Sequence, residues 1–547
     1  MDSNSTHSPN GLNTTIVFMD YSELPLSARS QVLNNSDLLG LIFSFFHVLP
    51  QASDMDRRIE APQSQQLLWA GLTCRTFSAP AMSVLWHSLE SWTTLLCLIP
   101  TLVLDEDENL YTTDEAIVEE HLERLMYYAE RVRTIKFTAF DEFVSTHIYA
   151  SISRLCPNLF PRLSKLVIPN LGQLYRDNLS ALFLMPTPSL STVSVGGIVP
   201  ATEVLLASML VILSTHAKFL EHLDVSGELS NVTTDLLDRF KMLKSLQISM
   251  QSGSLDCDML QKLSGLTRLK NLSLTLDKDS SFDTTSQSYA SFDALESLEL
   301  SGSVTAVFSI LGKLSLSHLE DITIECPGSE KVIPSAQQLV RNFVRPQVTS
   351  SLRSFHMKLA DSIRMTWKAL MPLQLCKQLK HLSVSVEYLD ASRLTSLCCN
   401  GEWFTLSSLE LAFLKVLPGE VGLSVHDLRI FAEYCPKLTS LSISLGTLAK
   451  GSKAIEMLWE DGIKHKPFGD TELQTLEILP LVLSPTAIIE EAKEKSTSDA
   501  VAVSQYLYNL FPHLNEVTHP DECAWLAGVD EMIRVYQSIS AKSKCTM

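Results

Sequence analysis

The stretch Leu220-Glu221-His222-Leu223-Asp224-Val225 shows the pattern that decides the fold: apolar residues at its first, fourth and sixth positions and polar residues between them. This strict frame occurs eight times in the chain of 547 residues. Independent draws from a chain this rich in leucine would give about one match. The pattern is therefore an internal repeat. Its other strict copies begin at Leu243, Leu269, Leu295, Leu379, Leu406, Leu438 and Leu473.

The spacing and the surroundings of the frame indicate what each repeat folds into. Looser copies begin at Val132, Leu163, Leu190, Leu319 and Leu352. Successive starts from 220 to 319 are 23, 26, 26 and 24 residues apart. Alternation of apolar and polar residues predicts a short strand that buries one face. Because one such unit cannot shield its leucines alone, the units are expected to stack into a parallel sheet.

Segments before several frames have apolar residues at helical spacing, which predicts repeats made of a strand and a helix. Ser424 is placed to cap one of these helices, and Pro436 to stop it before Leu438. The other predicted helices lead into Leu243 and Leu269. The expected ranges are Thr234–Phe240, Asp256–Leu263 and Val425–Tyr434.

These features resemble the leucine-rich-repeat family over roughly residues 130 to 520. The junctions Cys156-Pro157-Asn158-Leu159 and Cys435-Pro436-Lys437-Leu438 are similar to those of its cysteine-containing members. The chain departs from the family in lacking the Asn that usually follows the strand. The resemblance implies an α/β solenoid with a parallel β-sheet on a concave face and helices outside. The positions of the missing Asn are occupied by Glu228, Gln251, Asp277 and Ser303.

Polar residues that alternate with the buried positions are expected to line the concave face and to bind a protein. For any single residue, an ordinary solvated strand position is at least an equal alternative, so the hypothesis concerns the face as a whole. The candidate residues are His222, Asp224, Gln247, Asn271, Ser273, Glu299, His381, Ser383 and Ser442.

Three short helices are predicted before the repeats. The first spans 32–46 and is expected to be capped by Ser36; after a polar stretch at 51–66, the others are expected at 67–77 and 79–89. The apolar residues of the first helix extend around a wider face than one small core requires. That surplus indicates a partner.

The order of these elements resembles the F-box, with Leu-Leu-x-x-Ile-Phe at 38–43, Cys-Arg-x-Phe at 74–77 and Leu-Trp at 85–86. It departs from the F-box where Asn34, Asn35 and Ser36 replace the usual proline, and in its long first connection. The resemblance implies binding to the Skp-type adaptor of a cullin–RING ubiquitin ligase. The alternative is a helical cap that covers the open first repeat. The adaptor-binding residues that the resemblance implies are Leu38, Leu39, Ile42, Phe43, Leu72, Cys74, Phe77, Leu85 and Trp86.

The predicted organisation therefore has five parts. Residues 1–30 are expected to be a disordered tail, 31–90 an F-box-like helical module, and 91–130 a helical linker with an acidic loop. The irregular repeat solenoid is expected over 131–520, and a C-terminal tail or cap over 521–547.

Composition and motifs exclude several classes of partner and activity. The net charge of −19 disfavours nucleic acid and anionic membranes as partners. No signal peptide or membrane span is predicted, which suggests the cytoplasm, the nucleus or both. The eleven cysteines are expected to be reduced and mostly buried, including the pair Cys398-Cys399 near His381. Catalytic motifs are absent, so neither an enzyme nor a metal or cofactor is expected.

The sequence thus predicts the substrate-recognition subunit of a ubiquitin ligase of the SCF type, in which the repeats bind an unknown protein substrate. The alternative is a leucine-rich-repeat scaffold for protein binding that has no connection with a ligase.

Overall fold

A computed structural model describes residues 32–545 with gaps at 34, 46–56, 92, 108, 138–142, 174–178, 183, 253–256, 278–288, 328–339, 341–345, 361–364, 387–388, 400–402, 414–422, 446–470, 480–496 and 520–527. The predicted tail at 1–30 lies outside the described residues.

A sheet of fifteen parallel strands runs through the chain, and each strand pairs with those before and after it in sequence. This is the stacking expected of leucine-rich repeats, and it confirms the predicted α/β solenoid. The strands are β1 Ser88–Leu89, β4 Thr134–Lys136, β6 Lys165–Ile168, β7 Thr192–Ile198, β8 His222–Glu228, β9 Ser245–Ser252, β10 Asn271–Leu276, β12 Ser297–Ser301, β14 Asp321–Cys326, β15 Ser354–Leu359, β16 His381–Val386, β17 Ser408–Phe413, β18 Ser440–Ser444, β19 Thr475–Leu479 and β20 Glu516–Thr518.

The described residues also form two smaller sheets. The first joins β2 (Leu102–Asp105), β3 (Leu110–Thr113) and β5 (Phe143–Val144), and the second pairs β11 (Ala290–Phe292) with β13 (Leu314–Leu316).

The register of the main sheet aligns equivalent positions of the repeated frame. Leu223 lies opposite Leu246, which lies opposite Leu272, and all three are buried. Their alignment continues along the sheet, so the apolar positions of all the repeats merge into one continuous core. The phase of the strands, predicted from alternation alone, is confirmed.

Helices lie in the connections between successive strands, and their buried residues belong to the same core. The helix predicted before β18 is confirmed: it starts as a 3-10 turn over Val425–Leu428 and continues over Arg429–Tyr434, with Ser424 and Asp427 bonded to each other at its start. The α-helices between β3 and β20 are α5 Glu119–Ala129, α6 Thr146–Leu155, α7 Leu179–Leu182, α8 Pro200–His216, α9 Asn231–Thr234, α10 Cys257–Ser264, α11 Val304–Lys313, α12 Pro346–Thr349, α13 Ala391–Cys399, α14 Arg429–Tyr434 and α15 Thr497–Leu510.

The helix predicted over Thr234–Phe240 is wrong in its bounds. The chain instead forms α9 and a separate 3-10 turn over Leu237–Arg239. The helix begins early because Ser230 caps it, accepting a hydrogen bond from the backbone N–H of Val232. Glu203 of α8 also binds this turn, accepting from Ser230 N at 2.5 Å and from Thr233 Oγ1 at 2.8 Å.

Side-chain hydroxyls tie neighbouring repeats together at the N-terminal ends of the strands. Ser407 Oγ donates to Lys380 O at 3.1 Å, and Thr439 Oγ1 donates in turn to Ser407 O at 2.9 Å. Ser164 and Ser191 make the same contacts at the first strands. Carbonyl groups of one repeat thus accept hydrogen bonds from side chains of the next, which stabilises the stack.

The described residues of the N-terminal module form three helices, as predicted, but with different bounds: α1 Ser36–Ser44, α2 Arg57–Thr73 and α3 Arg75–Leu85. The second helix was predicted at 67–77, but it begins within the polar stretch at 51–66 and ends before Cys74. The predicted cap at Ser36 is wrong; Asn35 caps α1, and its Oδ1 accepts from the N–H groups of Asp37 and Leu38. Leu39, Phe43, Leu67 and Ala81 form a small core separate from that of the solenoid.

The chain passes from the module into the sheet within three residues. Strand β1 was assigned from the sequence to the third helix, but it pairs with β4 and is the first strand of the main sheet. The interval 91–130, predicted as a linker, contains α4 (Thr93–Leu96) and α5, whose leucines belong to the solenoid core.

Helices α15 and α16 (Val529–Cys545) pack on each other at the C-terminal end. Val503 and Leu507 of α15 are buried, as is Phe511 just after it, and Tyr506 Oη donates to His426 O at 2.9 Å. These contacts pack α15 against the last repeats.

Candidate protein-binding surfaces

The first candidate surface is the polar face of the sheet, formed by the strand residues that alternate with the buried leucines from β8 to β20. All nine predicted residues lie on it, and none of them is buried. The register places them in two rows. His222, Asn271 and His381 lie in the first row, and Asp224, Gln247, Ser273, Glu299, Ser383 and Ser442 lie in the second.

Serine hydroxyls donate to carboxylates on neighbouring strands in the second row. Ser383 Oγ lies 2.6 Å from Glu410 Oε2, and Ser442 Oγ lies 2.7 Å from Glu477 Oε2. Ser194 makes the same bond with Asp224, at 2.8 Å. These bonds fix the positions of the carboxylates on the polar face of the sheet.

Sequence reasoning missed Glu410 and Glu477, although both lie between apolar positions of a strict frame. The phase of the frame was signal enough to place them on the face. Their serine partners could not be found that way, because strand neighbours are more than twenty residues apart in sequence.

The second candidate surface is on the N-terminal module, where the predicted adaptor-binding residues divide into three groups. Leu39 and Phe43 are buried in the module's own core, where the ring of Phe43 meets that of the partly buried Phe77 at 5.7 Å. These residues hold the helices together. Leu85 and Trp86 are also partly buried, whereas Leu38, Ile42, Leu72 and Cys74 are exposed.

Further apolar side chains of α1 and α2 are exposed that the sequence-based set did not include. Trp69 is 62% exposed and lies one turn before Leu72, which is 72% exposed. Leu41, Phe45 and Leu68 are exposed as well. Helical spacing separates Trp69 from the buried Leu67, because residues two apart point to different faces of a helix.

Trp86 faces the solenoid and not the open surface of the module. Its ring lies 4.5 Å from that of Tyr128 on α5, tilted by 30°, and it packs against the solenoid core. The next residue, His87, accepts hydrogen bonds through its carbonyl from the N–H groups of Arg133 and Thr134. Trp86 therefore connects the module to the first repeats.

Several cysteines belong to the buried core of the solenoid. Cys376 is buried, and burial raises its pKa to about 12. A hydrogen bond with Cys435, together with burial, raises the pKa of Cys398 well above its ordinary value. Cys399 is exposed, as are Cys74 and Cys97. Six of the nine cysteines whose side chains the structure describes are buried.

Among the residues with described positions, no three His, Cys, Asp or Glu side chains come together as a group that could hold a metal. Every helix in the same ranges is too short or too polar to cross a bilayer.

Comparisons with known proteins give only distant structural similarity. No family model and no curated protein matches the chain. Among solved structures, an internalin from Listeria monocytogenes is 14% identical and aligns over 74% of this chain and 90% of its own, with a TM-score of 0.31. A protein from Bacteroides fragilis is 12% identical and aligns over 60% of this chain and 65% of its own, with a TM-score of 0.24. At such TM-scores neither similarity indicates a function for this chain.

Proposed function

We propose that the chain is the substrate-recognition subunit of an SCF-type cullin–RING ubiquitin ligase. In this role α1 and α2 bind a Skp-type adaptor, and the polar face of the sheet binds a protein substrate. The chain itself catalyses no reaction, carries no cofactor, and acts in the cytoplasm, the nucleus or both. Neither nucleic acid nor a membrane is a partner.

The observation that carries the proposal is the apolar surface of α1 and α2. Both helices pack on α3 and bury one face in the module's core, yet each also exposes large apolar side chains. A module of three helices does not need that second face for its own stability. Exposed apolar side chains at this density are typical of a protein-binding surface, and tryptophan is often a dominant contact in one.

The position of the module supports separate binding sites for the adaptor and the substrate. The core of the module is separate from that of the solenoid. An adaptor bound to α1 and α2 would therefore leave the polar face of the sheet open to a substrate. A receptor of this type works by holding a substrate near the ligase, which raises its local concentration.

The alternative is a protein-binding scaffold in which the module only closes the first repeat. The stacking of Trp86 on Tyr128 favours such a capping role, since it covers the first repeats with the end of α3. The two functions differ in whether the exposed residues of α2 have a partner.

The experiment is co-purification of the full chain with a purified Skp adaptor. The double variant Trp69→Ala and Leu72→Ala should lose the adaptor, whereas Leu375→Ala, which truncates a side chain 63% exposed on the solenoid, should retain it. Thermal melts of the three proteins should agree within about 2 °C, because exposed side chains add little stability. Failure of the unchanged protein to bind the adaptor, or full binding by the double variant, would overturn the proposal in favour of the scaffold.

A further inference from the structure

The polar face of the sheet carries an excess of negative charge along its length. Its strands from β8 to β20 hold eight carboxylates and one lysine, Lys358. All eight carboxylates alternate with buried positions, and none is buried. They are Asp224, Glu228, Glu299, Asp321, Glu325, Glu410, Glu477 and Glu516.

Three ion pairs lie just before the strands, at positions one residue before the strand begins. At the N-terminal ends of the strands, Lys244 pairs with Glu221 at 2.7 Å, and Lys270 pairs with Glu296 at 2.7 Å. Arg353 also pairs with Glu320 there, at 2.8 Å. None of the eight carboxylates on the face forms an ion pair with a described residue. These pairs neutralise charge at the edge, whereas Glu410 and Glu477 on the face form no ion pair with a described residue.

On the last strands, the carboxylates of the second row are separated by a regular distance. Glu410, Ser442 and Glu477 lie next to each other in the second row. Neighbouring strands are about 4.8 Å apart, so the two glutamates are roughly 9.6 Å apart across the sheet. An extended polyproline-type segment advances about 9.3 Å in three residues. A segment crossing these strands can therefore bring two side chains that are three residues apart over Glu410 and Glu477.

The residues beside the glutamates leave room for such a segment. Ser383, Ser408 and Ser440 are short, and the serines of the second row already donate to the glutamates. Each of these bonds engages one oxygen, and a carboxylate can accept several hydrogen bonds. Lys or Arg side chains can therefore bind the same carboxylates without displacing the serines.

We propose that the strands β16 to β20 bind an extended, basic segment of the partner protein, with Lys or Arg at about every third residue. The inference rests on the proposed function for the role of that partner as a substrate. It adds the chemistry by which the substrate is recognised.

The test uses the full chain and a labelled peptide with Lys at every third position among prolines, with binding followed by fluorescence anisotropy. Glu410→Gln with Glu477→Gln should weaken binding about tenfold, since each removes one close charge pair. The matched control, Glu123→Gln with Asp258→Asn, removes the same net charge from exposed helix positions and should change binding less than about twofold. A second peptide with the same residues, but with its lysines in one block, should bind more weakly than the first.

Equal losses in the two double variants would show attraction by net charge alone and would overturn the inference, as would equal binding of the two peptides or no binding at all. Adaptor binding, measured on the same samples, separates this failure from failure of the proposed function. The face variant should bind the Skp adaptor fully, whereas loss of adaptor binding by the unchanged protein would overturn the ligase role and leave the peptide result standing.

Discussion

Replacement of Trp86 by Ala should loosen the junction between the module and the solenoid. Truncating a fully buried Trp costs about 3–5 kcal/mol, and Trp86 is only partly buried, so about 2 kcal/mol is expected from lost packing. The stack on Tyr128 adds up to about 1 kcal/mol. Together, these contacts contribute about 2–3 kcal/mol to the free energy that opposes separation of the module from the solenoid. They contribute less to the stability of distant repeats.

Hydrogen exchange followed by mass spectrometry measures this opening. The amides of Arg133 and Thr134 donate to His87 O, so they report on the junction directly. A loss of about 2–3 kcal/mol speeds their exchange by about 30- to 150-fold where local opening limits it. Trp69→Ala is the matched control, because it removes the same side chain from an exposed position and should leave these amides unchanged.

A result in which Trp86→Ala leaves the exchange of both amides unchanged would refute the assignment of Trp86 to the junction. The same variant should keep adaptor binding at temperatures at which the module stays folded. Loss of adaptor binding without faster exchange would instead return Trp86 to the adaptor surface, where the sequence placed it.

Three further predictions concern stability and reactivity. At about pH 8, a thiol reagent should label Cys399 in the native protein but not Cys376, whose pKa burial raises to about 12; labelling of both by mass spectrometry before denaturation would contradict its burial. Burial raises the pKa of Glu203, but its hydrogen bonds to the α9 turn outweigh that effect and lower it. The resulting stability is therefore present above the ordinary Glu pKa of about 4.3 and is lost as pH falls through the lower folded value. Glu203→Gln should thus cost about 1 kcal/mol in urea unfolding at neutral pH, and the difference should shrink in acid; a constant difference would count against this origin. Thr439→Val, which removes the hydroxyl bonded to Ser407 O, should cost about 1 kcal/mol, and an unchanged urea midpoint would show that these bonds do not stabilise the stack.

Much of the solenoid could be predicted from sequence because its decisive signal is local. Within a frame such as the one at Leu406, alternation alone fixes which residues are buried and which face outward, including Glu410. The contact between Glu410 and Ser383 could not be predicted in the same way, since it depends on the register between two strands 27 residues apart.

The module was harder to predict because motif similarity says nothing about orientation. The resemblance placed Trp86 and Phe43 on the adaptor surface, but packing turns Trp86 towards Tyr128 and Phe43 into the module's core. Trp69 was passed over, although it is among the most exposed large side chains of the module. The cap of α1 was misplaced by one residue, because Asn35 and Ser36 are both good caps and only the backbone decides between them.

The most direct test of the central claim is hydrogen exchange of the full chain with and without a purified Skp adaptor. Bound adaptor should protect amides within α1 and α2, around Leu41 and Trp69, and leave the exchange of the strands β8 to β20 unchanged. Exchange that is the same with and without the adaptor, or protection confined to the sheet, would contradict it.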